Sequence, residues 1–263
     1  MNHGRLWSLL LAGAVGSVVA GASLSDEPPT SFVILELYTS QGCSSCPPAD
    51  EFLTELANAE PGKLPFMSGR SAELIPLGLH VDYWDYLGWK DQMADPTFTQ
   101  RQRDYARSRR KSMIYTPQMI VQGQVFAVGS NRAAIKAAIG ALDGTKPFDL
   151  IASDVVSGDG TSSLDISMDP AGGVFAKGRE LDVFYFRYHA NPKEVDVMAG
   201  ENRNRKISYA NVVTDLRYLG SWEPSGTFTG TISSWSGRDD RERELIVLQQ
   251  KGFGVIVGAS FLN

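Results

Sequence analysis

The chain has 263 residues, 43% hydrophobic and 21% charged, with 25 Lys and Arg against 30 Asp and Glu, a net charge of −5. This balance excludes a disordered chain, and the acid excess excludes a general nucleic-acid binder, which needs a basic field. Its two cysteines are too few for a disulfide-dense scaffold or an iron–sulfur site, and at roughly 150 residues per domain the length predicts one or two domains.

Residues 1–22 read as a secretory signal peptide. Arg5 supplies the positive start, Leu6 to Ala20 the apolar stretch, and Ala20 and Ala22 the small residues of a cleavage site. The apolar stretch is short of the roughly 20 residues that span a bilayer; an uncleaved N-terminal anchor is the alternative. No later segment is long and apolar enough to span, so no membrane span is expected after cleavage. The expected location is periplasmic or secreted, an oxidising compartment. Residues 23–31, with Asp26, Glu27, Pro28 and Pro29, read as a flexible leader.

From Phe32 the pattern alternates. Phe32–Tyr38 is an apolar, β-forming run; Ala49–Ala59 has helical apolar spacing and is stopped by Pro61-Gly62; Leu74–Val81 is a second strand. Thr97–Lys111 reads as a polar helix after Asp95-Pro96. Its segment Arg101–Lys111 has six positive residues and one acid, Asp104, and reads as a solvated face or a surface for an anionic partner. Gln118–Val121 and Gln124–Val128 flank Gln122-Gly123 as a hairpin, and Asn131–Leu142 is an alanine-rich helix. The order β, α, β, α, β, β, α predicts an α/β thioredoxin-like domain over residues 32–145. Beyond it, short strand-like runs separated by Gly, Asp, Asn and Pro clusters predict an all-β antiparallel sandwich domain over 146–263.

Cys43 and Cys46 carry the sharpest chemical signal. They form Cys-Ser-Ser-Cys between the first strand and the first helix. Free N–H groups and the positive dipole end at a helix start favour a thiolate, so Cys43 is read as nucleophile and Cys46, a turn later, as resolving thiol. Three other readings stay open: an inert structural disulfide, a closed zinc site, for which the ligands are too few, and a copper site using Cys43, Cys46 and His80. Thr116-Pro117, just before the hairpin, is the expected cis-proline position facing the redox pair. Glu36 interrupts the apolar run of the first strand and is a candidate proton partner for Cys46, or a solvent-facing acid at a sheet edge. His80, Asp82, Tyr83 and Trp84 leave the carboxyl end of the second strand, where ligands of open α/β sheets gather. They are candidate substrate-binding residues, with packed-loop roles as the alternative. The loop Gly200–Arg205 is a binding loop or a plain turn.

Four motifs resemble a family of bacterial secreted proteins with a thioredoxin-like fold: YTSQGCSSCPPADEFLTELA (38–57), HVDYWDYLGWKDQMADPTFTQRQRDYA (80–106), YTPQMIVQGQ (115–124) and GENRNRKISYANVV (200–213). The resemblance runs from about residue 32 to the end; Asn204 stands where the family has glycine and Tyr209 where it has histidine. It implies fold and export but supplies no reaction. The expected function is an exported thiol–disulfide oxidoreductase acting on a protein thiol or disulfide, or on a redox partner, without a cofactor. The alternatives are a copper-binding or copper-delivery protein and a non-catalytic interaction module.

Overall fold

An unbroken apolar run must be covered on both faces, and Ser31–Thr39, strand β1, is buried along almost its whole length. It lies inside the large sheet of a computed structural model that describes residues 31–60, 64–67, 72–145, 148–168, 179–234 and 240–262, together with Met1. The signal peptide and leader expected at residues 1–31 lie outside the described residues, apart from Met1 and Ser31. Helix α1 (Pro47–Ala57) follows, with two prolines in its first turn, where no intrahelical N–H is required. Strand β2 (Ala72–His80) comes next, then α2 (Pro96–Ser108), whose N-cap Asp95 accepts from Thr97 N at 2.7 Å. Strands β3 (Gln118–Val121) and β4 (Val125–Val128) form a hairpin, and α3 (Arg132–Gly140) starts where Asn131 accepts from Ala134 N at 3.1 Å. The hairpin turns through Gln122 at φ 52° and Gly123 at φ 67°, the paired positive dihedrals of a two-residue turn. A Cβ on Gly123 would sit 2.5 Å from Gly254 O, so only glycine fits.

The remaining strands are β5 (Leu150–Val156), β6 (Ser162–Met168), β7 (Leu181–His189), β8 (Lys193–Val197), β9 (Arg205–Tyr209), β10 (Val212–Trp222), β11 (Phe228–Ser233), β12 (Glu242–Gln250) and β13 (Ile256–Phe261). Up to α3 the local elements follow the sequence reading closely; their assembly does not. Instead of an α/β thioredoxin-like domain followed by a separate all-β antiparallel sandwich, one eight-stranded mixed sheet runs in the order β13-β12-β7-β10-β2-β1-β3-β4. Three α-helices accompany it among the described residues. The edge of β2 left free in the expected fold is taken by β10, in parallel at Val212–Gly78. There Gly78 N donates to Asn211 O at 2.9 Å, and Asn211 Nδ2 donates to Pro76 O at 2.8 Å, satisfying a carbonyl beside a residue that has no N–H of its own. Strands β7, β12 and β13 then extend the sheet antiparallel. A sandwich-like second layer does exist: the small sheet β11-β6-β5 places Leu164, Ile166 and Met168 against Val183, Tyr185, Ile246 and Leu248. Strands β8 and β9 form a separate two-stranded ribbon.

The period-two pleat of β1 divides the core. Val33, Leu35 and Leu37 pack under Phe52, Leu53 and Leu56 of α1 and Ile135 and Ile139 of α3. Ile34 and Tyr38 join Phe98 and Tyr105 of α2 with Phe184 and Phe186 of β7 on the other face. Glu36 points the same way and is fully buried. Arg101 Nε donates to its Oε2 at 2.7 Å and Nη2 to its Oε1 at 3.0 Å, while Tyr38 and Tyr105 donate at 2.9 and 2.7 Å. Arg101 Nη2 also donates to Gln249 Oε1 at 3.1 Å, tying α2 to β12. Removing one partner of such a pair strands a buried charge, which costs about 3–5 kcal/mol. Urea unfolding should show a loss of that size for Arg101→Met and a smaller loss for the double variant Glu36→Gln/Arg101→Met.

Candidate functional site

Cys43 and Cys46 are joined in a disulfide. The pair sits in the turn between β1 and α1, where Cys43 N donates to Ser40 O and Cys46 N to Cys43 O, both at 3.1 Å. Ser44 and Ser45 between them are exposed, whereas Cys43 is 2% exposed and Cys46 not at all. Ser45 Oγ lies 3.4 Å from Cys43 Sγ. Cys46 is the N-cap of α1, but the expected supply of free amides there is absent. Pro47 and Pro48 have no N–H, and the amides of Ala49 and Asp50 both donate to Cys46 O, at 2.8 and 3.1 Å. The helix dipole remains available to the sulfurs.

Beneath the disulfide lies a buried polar cluster built from five parts of the chain. Thr39 and His80 stand side by side at the ends of β1 and β2. Thr39 Oγ1 donates to Asp50 Oδ1 at 2.6 Å. Asp91 Oδ2 lies 2.7 Å from His80 Nδ1 and accepts from Gln41 N at 2.8 Å. The His80 ring meets Tyr209 of β9 edge-on, with centroids 4.6 Å apart. Asn202, fully buried in the loop between β8 and β9, donates through Nδ2 to Gln41 O at 2.9 Å and Cys43 O at 2.8 Å, and so holds the backbone of the cysteine turn. Several atoms of the cluster are buried without a hydrogen-bond partner: Asp50 Oδ2, His80 Nε2, Tyr209 OH, Gln41 Nε2 and Asn202 Oδ1. Burial pushes the Asp50 carboxyl up to about 7, against the opposing pull of Thr39 and His80. At Asp91 burial acts in the same direction, but His80 and the bonds from Gln41 and Met93 outweigh it and hold the carboxyl low.

The other expected site residues divide into two groups. Trp84 and Thr116 come together beside the cysteine turn. Trp84 Nε1 donates to Thr116 Oγ1 at 2.7 Å, and a Cβ on Gly42 would lie 3.1 Å from Trp84 Cβ. The Thr116–Pro117 peptide is cis. Tyr83 donates to Gln102 Oε1 at 3.2 Å, and burial pushes its hydroxyl up to about 12. Asp82 accepts from Thr99 Oγ1 at 2.6 Å and so is engaged with α2. Glu36 is held by Arg101 on the α2 face of β1, whereas α1 with Cys46 and Asp50 covers the opposite face. With Cys43 and Cys46 bonded to each other, their sulfurs are not thiolate ligands beside His80. Among the described residues no group of three or more His, Cys, Asp or Glu is arranged to hold a metal ion.

Sequence reasoning missed Asp50, Asp91, Asn202 and Tyr209 as members of this site. Asp50 had a signal, being an acid on the apolar side of α1 one turn after Cys46. Asn202 lies in the loop Gly200–Arg205 read as a binding loop or a plain turn, and Tyr209 stands where the resembled family has histidine, but neither signal names a target; Asp91 comes from a distant loop with no local mark.

A family model described as a protein of unknown function (DUF1223) matches residues 34–250. A crystal structure of a structural-genomics protein from Agrobacterium tumefaciens is 29% identical, with a TM-score of 0.59, the match covering 88% of this chain and 93% of that one. HBP35 of Porphyromonas gingivalis, 14% identical with a TM-score of 0.54, is matched over 89% of this chain and 75% of its own, a likeness of fold alone. No curated protein matches.

A carboxyl raised to about 7 in the fold, against 3.8 normally, binds more protons folded than unfolded between those values. Its contribution to stability is therefore full at acidic pH and lost as pH rises from about 4 to about 7. Urea unfolding at pH 5 and pH 8 should show Asp50→Asn gaining stability relative to the parent protein between the two.

Proposed function

We propose that this chain, which belongs to the DUF1223 family, performs thiol–disulfide exchange on exported proteins through Cys43 and Cys46. The observation that carries this reading is Asp50, a buried acid one turn after disulfide-bonded Cys46, whose amide donates to Cys46 O and whose carboxyl keeps one oxygen without a hydrogen-bond partner. A substrate thiolate attacks Sγ of Cys43, the residue of the pair that retains slight exposure and precedes the exposed Ser44-Ser45. A new sulfur–sulfur bond forms to Cys43, the Cys43–Cys46 bond breaks, and its electron pair leaves on Cys46. A buried thiolate is costly; protonated Asp50 gives its proton to Cys46 and becomes a carboxylate beside Thr39 and His80. In the reverse direction the Asp50 carboxylate takes the Cys46 proton, and the resulting thiolate attacks the mixed disulfide. Trp84 and Thr116 flank the cysteine turn and offer an apolar and polar surface to the incoming protein. The signal peptide read at residues 1–22 would deliver the protein to an oxidising compartment, where the pair has a use.

A second use of the same atoms has one observation in its favour. His80 Nδ1 is fixed by Asp91 while Nε2 is buried without a partner, the orientation in which a carboxylate readies a histidine for a metal. After reduction, Cu(I) could be held by Cys43, Cys46 and His80. Anaerobic Cu(I) titration of the reduced protein, with and without His80→Gln, separates this reading from exchange.

The exchange reading expects dithiothreitol to open Cys43–Cys46 in the folded protein and the reduced protein to cleave insulin disulfides. Cys43→Ser should abolish that activity. A disulfide that resists millimolar dithiothreitol until the chain unfolds, or equal activity in Cys43→Ser, overturns it.

A further inference from the structure

We propose that strand β5 is a dimer interface, through which a second copy of this chain adds its own β5 antiparallel across a two-fold axis centred on Ser153. Strand β5 stands at one end of the small sheet β11-β6-β5, and among the described residues no strand pairs with its outer edge. The chain just before it is anchored: Phe148 N donates to Ser260 Oγ of β13 at 2.9 Å, and that hydroxyl donates back to Phe148 O at 2.6 Å. Beyond Ala152 every residue of the strand is exposed. Ile151 and Val156 are each 71% exposed and Val155 37%. An edge strand is ordinarily shielded by lysine, proline or a bulge. The sequence of β5, LIASDVV, has neither residue, its register with β6 is unbroken, and its only charge is Asp154.

The strand's own sequence selects the partner. In the turn to β6, Ser157 N donates to Thr161 O at 2.9 Å. Counting back by twos, the odd-numbered residues of β5 turn their N–H and C=O groups to β6, and Leu150, Ala152, Asp154 and Val156 turn theirs outward. A second β5 extends the sheet with both faces in line only where opposed residues are both odd or both even. Centring on Asp154 sets two carboxylates against each other, and centring on Ala152 sets Leu150 against Asp154. Centring on Ser153 sets Ile151 against Val155 and Leu150 against Val156, each pair formed twice, and places Asp154 opposite Ala152. The exposed apolar side chains of β5 then cover one another, as an isologous interface requires. A foreign strand would have to supply this pattern; a second copy carries it already. The contact is small, so the dimer is reversible and concentration-dependent. The proposal does not depend on the disulfide chemistry.

Sedimentation velocity on the purified protein, from low micromolar to submillimolar concentration, should show a reversible monomer–dimer equilibrium. Ile151→Lys puts a charge against Val155 of the other copy, and Asp154→Pro removes an N–H that points away from β6. Each replaces an exposed residue, so each should leave urea unfolding of the monomer close to that of the parent while abolishing the dimer over the same concentrations. Asp154→Pro also separates pairing along the edge from stacking of sheet faces, which it would spare. Introduced cysteines read the register. Across the axis the two Ser153 residues form a non-hydrogen-bonded pair with Cα atoms about 4.5 Å apart, within disulfide reach. Mild oxidation of Ser153→Cys should therefore give a covalent dimer linked through the two introduced cysteines, identified by peptide mass mapping, and Ile151→Cys should not. A monomer at every concentration overturns the proposal, whether hydrogen exchange finds the Ala152 and Asp154 amides open or covered by another segment of the same chain. A dimer indifferent to Ile151→Lys or to Asp154→Pro, or crosslinking of Ile151→Cys in preference to Ser153→Cys, overturns it as well.

Discussion

A carboxylate in the middle of an apolar strand must be neutralised, and much of this molecule is organised around meeting that need. Glu36 faces the α2 side of β1 and is met there by a two-point contact with Arg101 and by two tyrosine hydroxyls. Coulomb attraction at that distance outweighs desolvation only when the remaining donors are also used. Gln249 meets part of that demand from β12, so the pair ties α2 and the central strands to the C-terminal part of the sheet. The same arginine leaves Nη1 buried without a hydrogen-bond partner, its guanidinium packed against the rings of Tyr105 and Phe184.

The cysteine turn is governed by a different constraint. Its polar groups lie under the surface, so each needs a partner, and the partners come from far along the chain. Asn202 holds the carbonyls of Gln41 and Cys43, while Asp91 holds the Gln41 amide and His80. This fixes the backbone around the disulfide while several side-chain atoms stay unpaired below it. Low dielectric surroundings make proton position there matter, which is why Asp50 departs so far from an ordinary carboxyl.

Several parts of the site are legible in the amino-acid sequence. Cys43 and Cys46 are recognisable from their spacing, and Trp84 and Thr116 do meet beside them. Glu36 stands out as an acid in an apolar strand, yet the strand pattern alone does not assign its partner. The period of two puts Glu36 on the face away from α1, while the periodicity of α2 shows Arg101 only as one more cation in a basic run. Arg101 is buried, whereas Lys111 on the same run is exposed. Asp50 is legible in principle and Asn202 only as a member of a polar loop; their targets, and Asp91 altogether, are not, because a loop side chain has no periodic pattern to reveal what it binds.

Short-range physics determined the elements by itself. Apolar periodicity, prolines in a first helical turn, Asp95 and Asn131 as caps, and Gln122-Gly123 as a turn all act within a few residues, and the corresponding helices and strands form where these signals stand. Only the tertiary structure decided how the strands join. Whether the edge of β2 ends a domain or accepts β10 depends on Gly78, Pro76 and Asn211 meeting across more than a hundred residues. Backbone hydrogen bonding at a strand edge is indifferent to sequence distance, so local patterns named the strands but left their neighbours open.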